Sequence, residues 1–450
     1  MKRGFLNSSK GKAAISSDAK PMDKPQIVGE RHNTTLSTSM SPIGKVEKVE
    51  VPKGFEIKLN GKGRKFEDHA IDSSGSYICT TMPPVRGATT KEPTTECLFV
   101  PGTKEIFLNE TPGFPRALPP PPTIPTVRVV ELPGKGSGLV AARSFKQGDL
   151  ILTERPLLML PVGIAVRRPA TFTDAQIQQH ALNETERYNQ VVVERMEEQR
   201  RVAFFELHNS HTEDGSGPIH GRARTNGIAL ANLQPGVLDA ASHYSAVGDL
   251  ISRINHSCSP NTVAEFSRAL FAFELFATRD VVQGEELTYH YIDTLVPAAE
   301  RAELCKPYAF TCTCSACTPP TAESDERRRT IKDFVPYLYS WLLNKSLPDD
   351  WVIKRCLAHI QLIEQENLQH SEESVMATNI IMFAYVSLGD AKRASNAAYA
   401  EHMFWRMRVD NMPQRVMELM EMLGPVLMQK FEGGQGLGMM QGGGGSNLNK

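Results

Sequence analysis

Short apolar runs separated by glycine-marked turns dominate the middle of the chain. Runs of strand length lie at residues 127–130, 139–142, 150–152, 227–230 and 270–276, with Gly138 and Gly148 among the first three. Runs this short, bounded by glycine, are typical of strands. The pattern predicts a compact β-rich unit that begins near Thr126.

A polar segment inside this unit has the composition of a helix. From residue 174 to about 208 the chain is rich in Gln, Glu and Arg, and its apolar residues include Ile177, Leu182, Val191, Val192, Met196 and Phe204. Asp174 is of a type that commonly caps a helix N-terminus. We therefore predict a helical insert, at about residues 165–225, between β segments.

The last third of the chain has helical periodicity. After Pro319-Pro320 an apolar stripe recurs at helix spacing, made of Ile331, Phe334, Val335, Leu338, Trp341 and Leu342. Such a stripe is more often core packing than a binding face. Two further helices are predicted around 352–363 and 380–388, and residues 385–398 faintly resemble one tetratricopeptide repeat. Residues 320–430 are thus predicted to be an all-α region of helical hairpins.

The remaining segments carry weaker patterns. Residues 1–50, rich in Ser, Lys, Thr and Pro, and the Gly-rich residues 431–450 are predicted to be disordered. Within residues 51–125, short strands are possible at 77–79 and 97–100, and four consecutive prolines at 119–122 predict a stiff linker. Region 51–125 receives no fold assignment.

Charge and hydropathy limit the partners of the protein. With 50 basic and 51 acidic residues the formal net charge is −1, which gives no global attraction to nucleic acid or to an anionic membrane. No apolar run is long enough to cross a bilayer, and no apolar stretch follows the basic N-terminal residues as in a secretory signal. We expect a nuclear and/or cytoplasmic protein that binds neither nucleic acid directly nor membranes.

Half of the cysteines crowd into one segment. Of eight cysteines, four lie within residues 305–317, and Cys312, Cys314 and Cys317 are spaced as metal ligands. Zinc prefers four ligands, so a fourth is needed, and Cys305 is the nearest in sequence. The alternative is that some of these are buried free thiols, which is the interpretation for Cys79, Cys97 and Cys356.

Three motifs follow one another along the chain. They are Asn255-His256-Ser257-Cys258, then Glu286-Leu287-Thr288-x-x-Tyr291, then the cysteine cluster that ends at Cys317. In this order they resemble the catalytic half of SET-domain lysine methyltransferases, and most closely the SET-and-MYND branch. Residues 154–226 contain no cysteine, so the zinc finger of that branch is absent. The resemblance implies an α+β fold: a β-rich SET domain with a pseudoknot and a helical insert at 126–318, ending in a post-SET cysteine cluster, followed by the all-α region.

The resemblance also implies roles for individual residues. Tyr291 occupies the catalytic position. The metal ligands would be Cys258, Cys312, Cys314 and Cys317, binding Zn²⁺. The residues implied to meet S-adenosylmethionine are Lys135, Gly136 and Ser137 in a Gly-rich turn, with Asn226, Asn255, His256, Tyr308 and Phe310. Taken alone, the Gly-rich turn and Asn226 are equally compatible with ordinary turns, and Tyr291 with an ordinary strand aromatic.

The implied function is protein-lysine N-methyltransferase activity. A methyl group would pass from S-adenosylmethionine to a lysine of a histone or non-histone protein, so the partner is a protein or peptide that presents a lysine. The alternative is a catalytically inactive SET scaffold whose helices mediate protein–protein interaction. Asn255, His256, Tyr291 and the cysteine set favour the enzyme, because a scaffold needs none of them for binding.

Overall fold

The computed structural model describes residues 45–85, 92–230 and 243–390, together with Leu233, Lys392, Arg393 and Asn396. Most of the segment expected to be disordered at 1–50, all of 431–450 and nearly all of 391–430 lie outside the described residues. The tetratricopeptide-like segment at 385–398 is therefore described only in part.

Among the described residues, thirteen strands lie between residues 69 and 289. In chain order they are β1 (His69–Ala70), β2 (Ile78–Met82), β3 (Thr95–Phe99), β4 (Val127–Leu132), β5 (Gly136–Ala141), β6 (Leu150–Glu154), β7 (Leu158–Pro161), β8 (Ile228–Leu230), β9 (Tyr244–Val247), β10 (Asn255–His256), β11 (Thr262–Ser267), β12 (Ala272–Ala277) and β13 (Glu286–Tyr289). The apolar runs from residue 127 onward thus coincide with strands, as the hydrophobic pattern predicts.

The strands form three sheets. Their orders are β1-β2-β3-β7-β9-β8, β10-β13-β5-β4 and β11-β12-β6. The four-stranded sheet matters most for function, because it places the Asn255-His256 segment parallel to β13, with Asn255 opposite Thr288 and His256 opposite Tyr289. Segments that lie far apart in sequence are thereby adjacent in space.

The region without a predicted fold contributes to the largest sheet. β2 and β3 pair antiparallel, and β3 pairs parallel to β7, with Glu96 opposite Leu158. Glu96 also accepts a 2.9 Å hydrogen bond from Arg195 Nε, and both side chains are almost fully buried. Residues on both sides of the Pro-rich segment therefore share one sheet.

Helices lie in three groups along the chain. They are α1 (Thr103–Glu105), which continues as a π-helical turn at Ile106–Glu110, then α2 (Asp174–Val193), α3 (Glu198–Glu206), α4 (Pro218–Asn226), α5 (Ala298–Cys305), α6 (Ala322–Lys332), α7 (Leu338–Leu343), α8 (Trp351–Gln365) and α9 (Glu372–Ser387). Helix α1 lies before β4, helices α2–α4 form the insert between β7 and β8, and helices α5–α9 follow β13. The α+β class is confirmed.

Two local predictions need correction. The cap of α2 is Thr173, whose side chain accepts from Gln176 N in a capping box, and Asp174 is the first helical residue. The predicted stripe from Ile331 to Leu342 does not lie on one helix, because α6 ends at Lys332 and α7 begins at Leu338. Pro336 stands between them, and proline has no N–H to donate and disfavours helix in the residue before it.

Separate apolar clusters stabilise these groups. One cluster fills the space between the sheets, and a second joins the N-terminal strands to the insert. A third packs α7 against α8 and α9 around Trp341. Among the described residues, no helix is both long and apolar enough to cross a membrane.

Acid should destabilise the C-terminal helices through His359. This side chain is 2% exposed and stacks on Phe334 at 3.8 Å between ring centroids. Neither of its ring nitrogens has a hydrogen-bond partner among the described residues. Burial lowers its pKa to about 4. The unfolded chain, with a His pKa of about 6.5, therefore binds the proton that the folded chain rejects, and stability falls as the pH drops from 6.5 towards 4.

We expect proton uptake by His359 in the unfolded chain to lower the free energy of unfolding by up to about 2 kcal/mol between pH 7 and pH 5. Denaturant unfolding at both pH values should show a smaller acid loss in His359→Leu than in wild type. An equal loss in the two proteins would contradict the assignment.

Candidate functional site

The Gly-rich turn between β4 and β5 is held against β13. Gly134 and Gly136 have φ of 72° and 68°, the left-handed region in which other residues are strained. The side chain of Lys135, between them, donates a 2.6 Å hydrogen bond from Nζ to Glu286 Oε2. The turn therefore has a defined position above the strand that leads to Tyr291.

Asn255 ties the same turn to the parallel strand β10. Its Nδ2 donates to Ser137 O at 3.4 Å and to Glu286 Oε1 at 3.2 Å. A Cβ at position 138 would lie 2.7 Å from this Nδ2, so only glycine leaves the amide in place. Gly138, Asn255 and Glu286 thus form one contact set around the turn.

His256 uses both ring nitrogens within the protein. Nδ1 accepts from the backbone N–H of Tyr291 at 3.0 Å, so Nε2 carries the proton and donates to Cys258 Sγ at 3.2 Å. Burial lowers the pKa of His256 to about 4, so the ring is neutral at pH 7. The side chain therefore links the cysteine cluster to the backbone of Tyr291.

Tyr291 lies in a group of aromatic rings. Its centroid is 5.1 Å from Tyr308, 6.1 Å from Phe310 and 5.4 Å from His256. The hydroxyl donates to Ile254 O at 2.6 Å, and burial raises the pKa of this phenol well above its ordinary value. The hydroxyl is thus protonated, oriented and available as an acceptor through its oxygen lone pairs.

One cavity of about 600 Å³ brings these residues together. Its lining includes the catalytic candidate and all the cofactor candidates: Lys135, Gly136, Ser137, Asn226, Asn255, His256, Tyr291, Tyr308 and Phe310. Asn226 ends α4 and donates from Nδ2 to His208 O and Arg222 O, so its side-chain oxygen is the atom left to accept from a ligand. All nine candidates therefore border a single space.

Sequence reasoning missed several residues of this lining. They are Glu206, Leu207 and His208 at the end of α3, with Ser252 and Arg253 just before β10. No spacing or motif in the insert distinguished residues 206–208. Arg253 precedes the Asn255 motif directly, so proximity to the motif was the signal that could have found it.

The cavity fits S-adenosylmethionine in size and chemistry. Its volume falls within the range of about 300–1,000 Å³ that is usual for small-molecule sites. Tyr291, Tyr308 and Phe310 offer ring faces suited to a sulfonium cation, and neutral His256 adds no opposing positive charge. These residues would hold the cofactor.

Four cysteine sulfurs form a cluster beside the cavity. The Sγ atoms of Cys258, Cys312, Cys314 and Cys317 all lie within 4.8 Å of one another. Cys258 Sγ is 3.9 Å from Cys312 Sγ and 3.5 Å from Cys317 Sγ. Sulfurs at about 2.3 Å from a tetrahedral zinc ion are separated by about 3.8 Å, so this donor set fits zinc. Among the described residues, Cys305 is not part of this four-sulfur group.

Two of the four thiols have a lowered pKa and two have a raised one. Hydrogen bonds from Cys258 and Cys312 lower the pKa of Cys317 to about 6. Hydrogen bonds from Cys258, Cys312 and Cys317 lower the pKa of Cys314 as well. Hydrogen bonds with the other three thiols raise the pKa of Cys258; for Cys312 the hydrogen bond with Cys258 lowers the pKa, but those with Cys314 and Cys317 raise it more. Thiolates are the form that binds a metal.

Two side chains, the partly buried Glu154 and the buried Asn261, position the Asn255 segment. Glu154 accepts the backbone N–H groups of Asp249, Leu250 and Ile251 at 2.5, 3.1 and 2.8 Å, which fixes the turn before β10. Asn261, 1% exposed, accepts from Thr288 N at 2.8 Å and donates to Glu286 O at 2.8 Å. Asn261 closes the motif that begins at Asn255, and its position there was the signal for it.

Removing the Asn261 amide should loosen the site and the fold. Asn261→Ala leaves the buried groups around Glu286 and Thr288 without partners, so we expect a loss of about 2–4 kcal/mol in unfolding free energy. Denaturant unfolding measures it, with the exposed Asn183→Ala as control. A loss within about 0.5 kcal/mol of the control would show that Asn261 has no clamping role.

Comparison with known proteins identifies the conserved domain type. Residues 136–292 match the sequence model of the SET domain family. The chain is similar to "Histone-lysine N-methyltransferase set5" of Schizosaccharomyces pombe, with 28% identity over 273 residues that cover 60% of this chain and 74% of that protein. It is also similar to "N-lysine methyltransferase SMYD2-B" of Danio rerio, with 38% identity over 98 residues that cover 19% of this chain and 22% of that protein.

These matches differ in extent. The SET match runs from Gly136 in the Gly-rich turn past Tyr291, and it ends before the cysteines of residues 312–317. The chain spans about three quarters of the S. pombe protein but only about a fifth of the D. rerio protein. The solved structure of the Neurospora SET domain protein DIM-5, a histone lysine methyltransferase, aligns at a TM-score of 0.21 and 18% identity over 37% of this chain and 52% of that chain, which is too low to carry an argument.

Proposed function

Because this chain contains a SET domain, we propose that it is a protein-lysine N-methyltransferase that uses S-adenosylmethionine as the methyl donor. The observation that carries the proposal is the convergence of Tyr291, Asn255 and the Gly-rich turn on one cavity. The printed names of the S. pombe and D. rerio relatives, both lysine methyltransferases, support the reaction type.

The chain's own residues account for binding of a cationic donor. S-adenosylmethionine, when bound, supplies a methyl group on positively charged sulfur. The ring faces of Tyr308 and Phe310 attract such a cation. Lys135, Gly136 and Ser137 present backbone groups at the rim, where Asn255 and Glu286 hold the turn in place.

Tyr291 would orient the substrate amine. A free lysine has a pKa of about 10.4 and must lose its proton before its nitrogen can attack. An aromatic cavity beside a cation disfavours the ammonium form. The Tyr291 hydroxyl donates its proton to Ile254 O, so its oxygen can accept an N–H of the amine and direct the nitrogen lone pair. Exclusion of water by the surrounding rings favours the same step.

Zinc would have a structural role. Four sulfur ligands leave no open coordination position, so a zinc ion bound by Cys258, Cys312, Cys314 and Cys317 would not activate water. It would join the Cys312 loop to the Asn255 segment. Tyr308 and Phe310, which precede that loop, would thereby keep their place opposite Tyr291.

The substrate would be a protein that presents a lysine, histone or non-histone. The C-terminal helices would form one wall of the substrate cleft. The first of them, α6, is attached to the Asn255 segment, where Arg328 donates to Cys258 O. Catalysis in the nucleus and/or the cytoplasm would suit such substrates.

Methyl transfer to protein lysine tests the proposal. The full chain is incubated with tritiated S-adenosylmethionine and an extract of cells that lack this protein, and the labelled proteins are hydrolysed for amino-acid analysis. We expect label in N-methyllysine and calorimetric binding of about one S-adenosylmethionine per chain, as one cavity implies. Binding of the cofactor without any labelled lysine would support the non-catalytic scaffold instead.

A further inference from the structure

Two fully buried arginines contact the four-cysteine cluster. Arg301 on α5 and Arg328 on α6 both have 0% exposed side chains. A guanidinium keeps its charge in proteins, and burying it is costly unless hydrogen bonds and negative charge compensate it. The positions of these two side chains therefore call for anionic neighbours.

Arg301 reaches the cluster from α5. Its Nη2 donates to Ala316 O at 3.0 Å and lies 3.9 Å from Cys317 Sγ, while Nη1 donates to Val296 O at 2.7 Å. The one carboxylate that ion-pairs with it among the described residues is Asp325, at 3.6 Å. Its Nε is buried and has no hydrogen-bond partner in the part of the chain that the structure describes.

Arg328 reaches the other end of the cluster from α6. Its Nη1 donates to Cys258 O at 3.0 Å and to Thr294 O at 2.6 Å, and Nη2 donates to Ser259 Oγ at 3.0 Å. These contacts surround the backbone of the one fully buried cysteine of the four. Arg328 thus joins a C-terminal helix directly to a metal-ligand candidate.

The nearby carboxylates do not fully balance the positive charges of Arg301 and Arg328. Glu366 lies 3.0 Å from Arg328 Nε, but it also receives a 2.6 Å hydrogen bond from Arg327 Nε. Asp325 accepts the backbone N–H of Ala298 at 2.9 Å and is partly exposed. Three arginines therefore face two carboxylates around a cluster that, with four thiolates and one Zn²⁺, carries a charge of −2.

We propose that Arg301 and Arg328 are positioning residues that stabilise the four-thiolate metal site by charge, and that Arg328 couples occupancy of this site to docking of α6. The proposal rests on the zinc site of the proposed function. Arg301 acts on the sulfur of Cys317 and on the backbone beside it. Arg328 acts on the backbone of Cys258, so α6 and the cluster stabilise each other.

Zinc release tests the charge role without any methyl transfer. The zinc-loaded full chain is mixed with 4-(2-pyridylazo)resorcinol, and the absorbance of the zinc complex gives the release rate. We expect Arg301→Gln and Arg328→Gln to release zinc about 10- to 100-fold faster than wild type, the usual range for residues that support metal ligands. Arg329→Gln, which removes an exposed arginine paired with Glu326 on the same helix, is the matched control and should behave as wild type.

Conservative variants separate charge from packing. Arg301→Lys keeps the positive charge but loses the planar fork, so it should recover most of the zinc retention lost in Arg301→Gln. Equal rates in Arg301→Lys and Arg301→Gln would show a packing role and overturn the charge role. Rates in both glutamine variants within about threefold of Arg329→Gln would overturn it as well, since that falls well below the expected range.

Amide exchange tests the coupling in the wild-type chain, including the case in which a glutamine variant does not fold. Removing zinc with the chelator should raise hydrogen–deuterium exchange in α6 by at least about tenfold, a change of about 1.4 kcal/mol in local opening. Exchange in α2 should not change. Unchanged exchange in α6, or wild-type protein purified without zinc, overturns the proposal. Both readouts are independent of S-adenosylmethionine and lysine, so they cannot be confused with failure of the methyltransferase assignment.

Discussion

Tyr291→Phe should lower the rate constant of methyl transfer by about 100- to 1,000-fold, or about 3–4 kcal/mol in the barrier. The substitution removes only the hydroxyl. That hydroxyl is fixed by its 2.6 Å hydrogen bond to Ile254 O and borders the cavity with the other site residues. Without it, nothing at that position accepts the amine N–H and aligns the nitrogen lone pair.

Binding of S-adenosylmethionine should survive the same substitution. The ring of residue 291 keeps its contacts with Tyr308 and Phe310, and its backbone N–H still donates to His256 Nδ1. We expect a dissociation constant within about threefold of wild type, because a group that acts on the reacting amine contributes little to ground-state cofactor affinity. Calorimetry gives this constant, and single-turnover labelling gives the rate.

Tyr308→Phe is the matched control for a lost phenol hydroxyl. Within the described ranges, the one hydrogen bond of the Tyr308 hydroxyl is a long one, 3.4 Å, to Tyr291 O. We expect its removal to cost less than about tenfold in rate, as for a weak neutral hydrogen bond. A Tyr291→Phe enzyme as active as Tyr308→Phe would remove Tyr291 from its catalytic role.

Several strands and the helical insert were predicted from the sequence, because apolar runs and polar composition are each strong local signals. The short apolar runs became β4, β5, β6, β8 and β12, because strands buried in a core read as apolar runs. The helical insert followed from composition. Its N-cap was placed one residue late, because Thr173 and Asp174 are both good caps and only the capping box with Gln176 distinguishes them.

The local hydrophobic pattern could not predict which distant segments pair with each other. Residues 69–99 have the composition of short strands, but nothing in them shows that β3 pairs with β7. Likewise no local signal points to the ion pair of Glu96 with Arg195, which are 99 positions apart. Such contacts depend on the folded topology, which a single sequence does not display.

For the site, motif order carried most of the information. The nine cavity candidates and the four sulfurs came from a family resemblance, and each group lies together. Glu154 was missed because its role is to accept backbone N–H groups, and any buried strand end could supply such a carboxylate. Arg301 and Arg328 were missed because a buried arginine on a helix looks like a surface arginine until the helix is docked.

Cys258→Ala should abolish zinc binding and destabilise the protein by about 4 kcal/mol or more. The Sγ of Cys258 lies within 4 Å of both Cys312 Sγ and Cys317 Sγ, and it is the only buried one of the four cysteines. A site reduced to three sulfurs loses both affinity and the link to β10, and metal-binding energy is folding energy. For a domain of this size the expected fall in Tm is about 10 °C.

Cys305→Ala is the matched control, since it deletes a thiol that is also fully buried but lies outside the four-sulfur group. It should retain about one zinc ion per chain, as a four-thiolate site requires. Elemental analysis of both purified variants gives the zinc content. Zinc loss in Cys305→Ala with retention in Cys258→Ala would reverse the ligand assignment.

The effect of Cys258→Ala should extend to the cofactor cavity through His256. That ring donates from Nε2 to Cys258 Sγ and accepts from the N–H of Tyr291 at Nδ1. Without the sulfur, the buried Nε2–H has lost its acceptor, which costs about 1–3 kcal/mol unless the ring moves. Movement of the ring releases Tyr291 and opens the aromatic cluster, so S-adenosylmethionine should bind at least about tenfold more weakly, as for a change of about 1.4 kcal/mol. Unchanged affinity in a zinc-free Cys258→Ala protein would show that the metal site and the cavity are independent.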